Sequence, residues 1–295
     1  MAEQTESWQI GDVRLTAIVE AETSRIPPQF FFPEIVTDDV TTVDWLSDGA
    51  ASSDGTIAFR VQAFVVETRG RVVLVDPCVG NAKQRSLAFW NDLHLPWLER
   101  FTAAGFDPHD VDLVVHTHLH EDHIGWDTHR LGDEWVPTFT NARHVYVGDE
   151  LDYAVRADRR TADDPYSDSI APILDAGLGD VVGTGATLAD GVRLISTPGH
   201  TPGHAAVAID TSGDPLVITG DLLHHQLQLA NPRIAEIADW DAELARETRS
   251  AFFSEQCRAG SLVAGTHFPI APVGRIEPNG AVWRFRVEPG DVDRS

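Results

Sequence analysis

Thr117-His118-Leu119-His120-Glu121-Asp122-His123 sets four potential metal ligands within six residues, directly after the apolar run Val111-Asp112-Leu113-Val114-Val115. Imidazole and carboxylate are the donors that suit zinc and its first-row neighbours. Three later segments supply the same donor types. His200 stands in Pro198-Gly199-His200-Thr201-Pro202-Gly203-His204, Asp221 in Thr219-Gly220-Asp221, and His267 in Gly265-Thr266-His267. Each follows an apolar segment and lies in turn-rich sequence, so strand ends would present these side chains to a shared cleft.

Around these segments, strand and helix patterns alternate. Ile10–Glu20, Ala58–Val66 and Arg71–Val75 read as strands, the last two joined by the turn Thr68-Arg69-Gly70. Strand patterns return at 142–147, 192–196, 205–209, 216–219, 261–264 and 282–287. The stretch 101–106 closes a helix at Gly105, and 238–253 has helical spacing with Trp240, Leu244 and Phe252 as its buried stripe. Helices outside a sheet-on-sheet core satisfy this order for a chain of 295 residues, an α/β (α+β) architecture expected as one domain over 1–295. Two stretches stand apart. Residues 26–53 carry Phe30-Phe31-Phe32 between prolines, and could form an apolar lid, a subunit interface such as a homodimer's, or the core margin. Residues 127–180, with Arg156-Ala157-Asp158-Arg159-Arg160 and Asp163-Asp164-Pro165-Tyr166, read as a solvated insertion that walls the pocket.

Composition narrows the partners. A formal net charge of -24, from 22 basic and 46 acidic residues, disfavours nucleic acid, whose phosphates need Lys and Arg. No apolar run approaches the ~20 residues that cross a bilayer, and Met1–Ser7 lacks the basic and apolar regions of a secretory leader. Cys78 and Cys257 are far apart with no ligand spacing, so both are expected as reduced thiols. A cytoplasmic protein without membrane or nucleic-acid partners is the simplest expectation.

The pattern His118-x-His120-x-Asp122-His123, then His200, Asp221 and His267, resembles the metallo-β-lactamase superfamily, in particular its dinuclear hydrolases. The resemblance implies an αββα sandwich of two mixed sheets with helices outside. It also implies two zinc ions per chain (iron, manganese or cobalt being the alternatives). His118, His120 and His200 would hold one ion, Asp122, His123 and His267 the other, with Asp221 bridging. Two such ions can lower the pKa of bound water from ~15.7 to about 7 and stabilise developing oxyanion charge. No Gly-x-Ser-x-Gly nucleophile is present, so the attacking group is expected to be a hydroxide generated at the metals, with Asp122 accepting a proton from it.

Other residues take narrower expectations. Asp76, ending Leu74-Val75-Asp76, matches an acidic residue that braces the metal loop in this superfamily. His204 is expected to hydrogen-bond a ligand rather than cap a turn, His116 to pack at a strand end, and His144 to be a surface or satisfied structural histidine. The chain resembles acyl-homoserine lactonases, where a tyrosine three residues after the bridging aspartate holds the substrate carbonyl; here that position is His224. An imidazole could donate to the same oxygen, protonate the leaving alkoxide with its pKa near 6.5, or only line the pocket. The Pro198–His204 segment also matches methyl parathion hydrolase. The expected substrate is a small apolar lactone or carboxylic ester, with a phosphotriester or aryl ester next and a non-catalytic metal-bearing sensor last. Phe30, Phe31, Phe32 and Trp126 are candidate pocket residues, each equally able to be core.

Overall fold

The computed structural model describes residues 5–46, 49–158 and 165–290; the runs Arg159-Arg160 and Asp163-Asp164 of the expected insertion lie outside them. The chain divides into two compact units, Met1–Glu20 with Val61–Thr184, and Ala21–Arg60 with Gly185–Ser295. Each carries most of one seven-stranded mixed sheet.

In the first unit the strands are β1 (Thr5–Ile10), β2 (Val13–Ile26), β3 (Ile57–Thr68), β4 (Arg71–Val75), β5 (Leu113–Val115), a separate hairpin β6 (Thr128–Leu131) with β7 (Glu134–Pro137), β8 (Arg143–Val147) and β9 (Gly179–Val182). β2 and β3 run on past the boundary, so Ala21–Ile26 and Ile57–Arg60 count with the second unit. The sheet order is β1-β2-β3-β4-β5-β8-β9. Val73–Val75 of β4, all of β5 and Val145 and Val147 of β8 are buried valine- and leucine-rich backbone, the composition of strands covered on both faces. β4, β5, β8 and β9 are mutually parallel, which requires crossover connections. The helix Trp97–Ala103 supplies the first crossover and Gly148–Asp158 part of the last. Because these strands run the same way, their C-terminal ends share one sheet edge. Asp76, the segment 116–123 and Glu150 all follow those ends. The range 127–180 is thus more than an insertion, since β8 within it is a buried strand paired with β5. Leu119, Ile124, Tyr146, Ile170 and Ile173 form a core beneath it.

The second unit orders β10 (Thr187–Ala189), β11 (Val192–Ser196), β12 (Ala205–Ile209), β13 (Leu216–Ile218), β14 (Leu262–Ala264), β15 (Val273–Asn279) and β16 (Val282–Val287) consecutively. β11 and β13 both run antiparallel to β12, and β14 runs parallel to β13. Their three C-terminal ends therefore coincide. His200 follows β11, and Asp221 and His267 each stand three residues beyond the register pair Ile218–Ala264. The β13–β14 crossover contains the helix Ala242–Ala259, whose Phe252 and Phe253 pack on Leu222, Val263 and Phe268. This helix starts later than the hydrophobic spacing suggests. Asp241 caps it by accepting from the Glu243 and Leu244 N–H groups, and Gly260 ends it at φ 68°. Trp240 stays outside, 51% exposed, and its N–H donates to the His200 carbonyl. No helix among the described residues is long and apolar enough to cross a membrane.

Candidate metal centre

The first unit holds four of the ligand candidates on one pinned segment. Thr117 is its fixed point: its N–H donates to Asp76 Oδ1 at 2.8 Å and its hydroxyl to Asp76 Oδ2 at 2.7 Å. With that proton committed to a carboxylate, Thr117 Oγ1 is left to accept, and His118 Nδ1 lies 3.1 Å away. His118 therefore carries its proton on Nδ1 and presents the Nε2 lone pair. His123 Nδ1 lies 3.1 Å from Asp76 Oδ2, and its Nε2 lies 3.6 Å from Asp122 Oδ1. The His118 ring centroid is 4.1 Å from that of His123 and 4.6 Å from that of His120. His123 N–H closes a turn on the His120 carbonyl, and Glu150 accepts the Leu119 N–H.

Asp76 reaches Thr117 because the loop after β4 is folded tightly. Asp76, Cys78 and Gly80 all have positive φ, at 52°, 48° and 81°. Two non-glycine residues in this region store backbone strain of order 1 kcal/mol each. The loop is offset by being stitched to the far side of the ligand segment: Gly125 N–H donates to the Cys78 carbonyl at 2.7 Å and Trp126 N–H to the Pro77 carbonyl at 2.8 Å. Buried Glu20 completes the junction, accepting from the Val79 and Gly80 N–H groups and from Trp126 Nε1. Burial dominates this carboxyl and, despite those three donors, lifts its pKa to about 7. Trp126, expected as a pocket candidate, is held by Glu20 and stacks on Trp97 at 5.4 Å.

In the second unit three imidazoles converge on one carboxylate. His267 Nε2 lies 3.0 Å from Asp221 Oδ1, and His224 Nε2 and His200 Nε2 lie 3.1 and 3.5 Å from Asp221 Oδ2. Asp221, His224 and His267 are grouped closely enough to share a cation. Two of the rings are again tied through Nδ1. That of His267 donates to the Arg60 carbonyl at 2.8 Å, and that of His200 lies 3.2 Å from Asp239 Oδ1. His204 works through the backbone, its Nε2 accepting the Asp221 N–H at 3.0 Å while Nδ1 faces Thr197. Arg60 is fixed in turn by two hydrogen bonds to Glu22. Burial pushes the His224 imidazole down, yet the Asp221 carboxylate, with Glu236 and Asp239 behind it, outweighs this and leaves its pKa at about 9. Burial lifts Glu236 to about 6.

The three consecutive phenylalanines separate by environment. Phe30 is 42% exposed, Phe32 is fully buried, and Phe31 stacks at 4.5 Å on Phe59. Phe59 in turn lies flat on the His267 ring at 4.3 Å, and the Phe31 centroid is 6.3 Å from that of His224. Phe31 thus joins an aromatic wall beside the candidate ligand rings, with Phe30 edge-on behind it at 4.9 Å.

Sequence reasoning passed over Glu20, Phe59, Glu236 and Asp239. A signal existed for Glu20, which ends an apolar alternating run much as Asp76 does. For Asp239 there was none, since it sits among ordinary loop acids.

The donor chemistry fits divalent ions. Four candidate histidines have Nδ1 beside an oxygen, in a hydrogen bond at His118, His200 and His267 and 3.1 Å from Asp76 Oδ2 at His123, an arrangement that suits metal-bound imidazole. The profile of the metallo-beta-lactamase superfamily matches residues 56–255, and the chain belongs to that superfamily. Among curated relatives, the N-acyl homoserine lactonase AttM of Agrobacterium fabrum is 31% identical over 134 residues, 42% of this chain and 46% of that one. The probable metallo-hydrolase Rv2300c of Mycobacterium tuberculosis is 30% identical over 202 residues, 62% of this chain and 63% of its own. The chain thus spans about half the length of the lactonases it matches. Among solved structures, hydrolase AbOPH of the beta lactamase superfamily aligns with a TM-score of 0.80 at 25% identity, covering 98% of both chains. The dizinc quorum-quenching lactonase AidC aligns at 0.79 and 20% identity over 96% of this chain and 97% of its own, a likeness of fold.

Proposed function

We propose that this chain is a dinuclear zinc hydrolase that opens a lactone or related carboxylic ester. In this reading His118, His120 and His200 hold one ion, Asp122, His123 and His267 hold the other, and Asp221 bridges. The observation that carries it is the convergence of imidazole and carboxylate donors at the strand ends of each unit, the Thr117–His123 segment around Asp76 in one and His200, His224 and His267 around Asp221 in the other. When bound, two divalent ions supply Lewis acidity and make hydroxide available near neutral pH.

The remaining work falls to side chains. Asp122 accepts the proton released by the attacking water. His224 has Nε2 beside Asp221 and Nδ1 without a hydrogen-bond partner among the described residues, so a proton on Nδ1 is available to the substrate carbonyl or to the leaving alkoxide. The Phe31–Phe59 wall favours an apolar acyl group beside these rings. The lactonase names of several relatives support the lactone. A phosphotriester is the second reading, favoured by the Pro198–His204 segment.

The test is a panel of acyl-homoserine lactones, simple lactones, aryl esters, a phosphotriester and a β-lactam, with and without chelator. A tenfold preference in kcat/KM for lactones, about 1.4 kcal/mol in barrier, is the expected result. A zinc-loaded enzyme inert to every class would refute it.

A further inference from the structure

Within the first unit a second cluster of histidine and carboxylate stands apart from the ligand candidates. His116 Nε2 lies 3.0 and 2.9 Å from the two carboxylate oxygens of Asp127, and His144 Nδ1 lies 3.2 Å from Asp127 Oδ1. The Tyr146 hydroxyl donates to Asp127 Oδ2 at 3.3 Å, and His116 Nδ1 donates to the Val145 carbonyl at 3.0 Å. The side chains of His116, Asp127 and His144 are essentially inaccessible to solvent, so water does not compete for the hydrogen bonds of Asp127 with His116 and Tyr146.

The positions matter more than the chemistry. His116 is the first residue past β5, and Asp127 lies eleven residues on. Between them runs the whole ligand-bearing stretch, His118, His120, Asp122 and His123 included. The pair therefore joins the two ends of that stretch. His144 and Tyr146 belong to β8, paired in register with β5 through Val114–His144 and Val115–Val145. The junction is thus fastened to a buried strand rather than to another loop.

We propose that His116 and Asp127 form a clip across the neck of the ligand segment, and that they are positioning residues for metal binding. Joining the ends of a short loop removes most of its conformational freedom before any ion arrives. The ligands are then held near their binding geometry instead of being ordered at the cost of affinity. The inference rests on the metal-centre reading, but it is read through metal affinity, so it stands or falls separately from the choice of substrate.

The experiment measures zinc affinity of the full chain by competition with a chromophoric chelator, together with the visible spectrum of the cobalt-substituted protein. Asp127→Ala is expected to weaken affinity at least about tenfold and to broaden the cobalt bands, while Asp127→Asn, which can still bridge the neck, stays within about threefold of the parent. A residue with only a bulk structural role would lower melting temperature and leave affinity and spectrum unmoved, and that result overturns the proposal. A third zinc per chain, lost in Asp127→Ala, also overturns it in favour of a separate cation site. Should Asp127→Ala not fold, His116→Ala removes the same clip and leaves Asp127 with His144 and Tyr146, and it is read identically. In the unaltered metal-free chain the amides of residues 118–123 are expected to exchange slowly; free exchange there overturns the clip without any variant. A chain inert to all esters whose zinc affinity still drops in Asp127→Ala removes the lactonase reading and keeps the clip.

Discussion

Gly125→Ala is the sharpest test of how the ligand segment is held. Gly125 needs no unusual backbone angle; what it needs is room. A Cβ built there would lie 1.7 Å from the Val79 carbonyl oxygen and 2.0 Å from its carbon, where ordinary contact starts at 3.4 Å. Both partners are backbone, so no side chain can swing aside. The two loops must part by about 1.7 Å, the difference between that contact and the distance a methyl group would have. Such a shift stretches the Gly125–Cys78 and Trp126–Pro77 hydrogen bonds, now 2.7 and 2.8 Å, past any useful length. Each buried backbone group left unpaired costs about 1–3 kcal/mol, so the two together cost about 2–6 kcal/mol. Total stability is of order 5–15 kcal/mol, and a chain this size loses about 2 °C of melting temperature per kcal/mol.

The assay is thermal unfolding of the metal-free protein with zinc affinity measured alongside. A fall of about 4–12 °C is expected. Zinc should also bind more weakly, because Trp126 and Gly125 close the stretch that carries His118 to His123. A control is Gly70→Ala, which meets no atom within 4 Å and is strained only by its φ of 76°. It should cost about 1 kcal/mol and leave zinc alone. Gly125→Ala with a melting temperature and affinity equal to the parent would refute the reasoning outright.

Three further outcomes follow from the same contacts. Asp76→Asn keeps a residue that tolerates positive φ but removes an acceptor, so either Thr117 N–H or its hydroxyl loses its partner. Zinc affinity should fall about 10–100-fold by chelator competition, and an unchanged value would show that the Asp76–Thr117–His118 relay does not orient the ligand. Asp239→Ala strips His200 Nδ1 of its acceptor and should weaken zinc over the same range, about 10–100-fold, where a drop in melting temperature alone would count against the role. His225 gives a pH effect: burial holds its pKa down at about 4 against the ordinary 6.5, with only the Ala50 carbonyl opposing. Between those values the unfolded chain binds a proton that the folded chain refuses, so stability is present above pH 6.5 and is lost as pH falls towards 4. The loss is about 3 kcal/mol at most, seen as a steeper urea-unfolding pH dependence in the parent than in His225→Gln; equal slopes would discount it.

Much of this site was readable in the chain because its candidate ligands sit where strands stop. The apolar runs ending at Val75, Val115, Ile218 and Ala264 are short and buried, and each is followed within three residues by Asp76, the 116–123 segment, Asp221 or His267. Parallel neighbours then align those stops on one edge of each sheet. What could not be read is the set of groups that hold the ligands. Glu20 meets Trp126 across 106 residues, and His267 meets the Arg60 carbonyl across 207. No local pattern encodes a partner at such separation, least of all when it is a backbone carbonyl. The helix at 242–259 shows the opposite failure. Its hydrophobic spacing extends back over Trp240, but the Asp241 cap and the Trp240–His200 backbone bond stop the helix short, a tertiary contact overriding a local period.

The acid surplus gains a second meaning once burial is known. Glu20, Asp76, Asp122, Asp221, Glu236 and Asp239 are all carboxylates with little or no exposure of their side chains, and they lie at or beside the ligand histidines. Burying so many acids is costly unless positive charge balances them, and the raised pKa values of Glu20 and Glu236 are that cost made visible. Of the buried basic residues, Arg60, Lys83 and Arg85 are committed to Glu22 and Asp168, and Arg249, 3.7 Å from Asp239 Oδ2, is a single charge that does not balance six acids. Divalent ions would. Two of the four groups facing Nδ1 are carboxylates, Asp239 hydrogen-bonded to His200 and Asp76 3.1 Å from His123, and a carboxylate behind an imidazole raises its basicity more than the hydroxyl of Thr117 or the carbonyl of Arg60. His123 and His200 should therefore be the stronger donors and His118 and His267 the weaker. The proposed ligand set would thus be graded as well as placed, the grading coming from acids that a count of surface charge would have assigned to solubility.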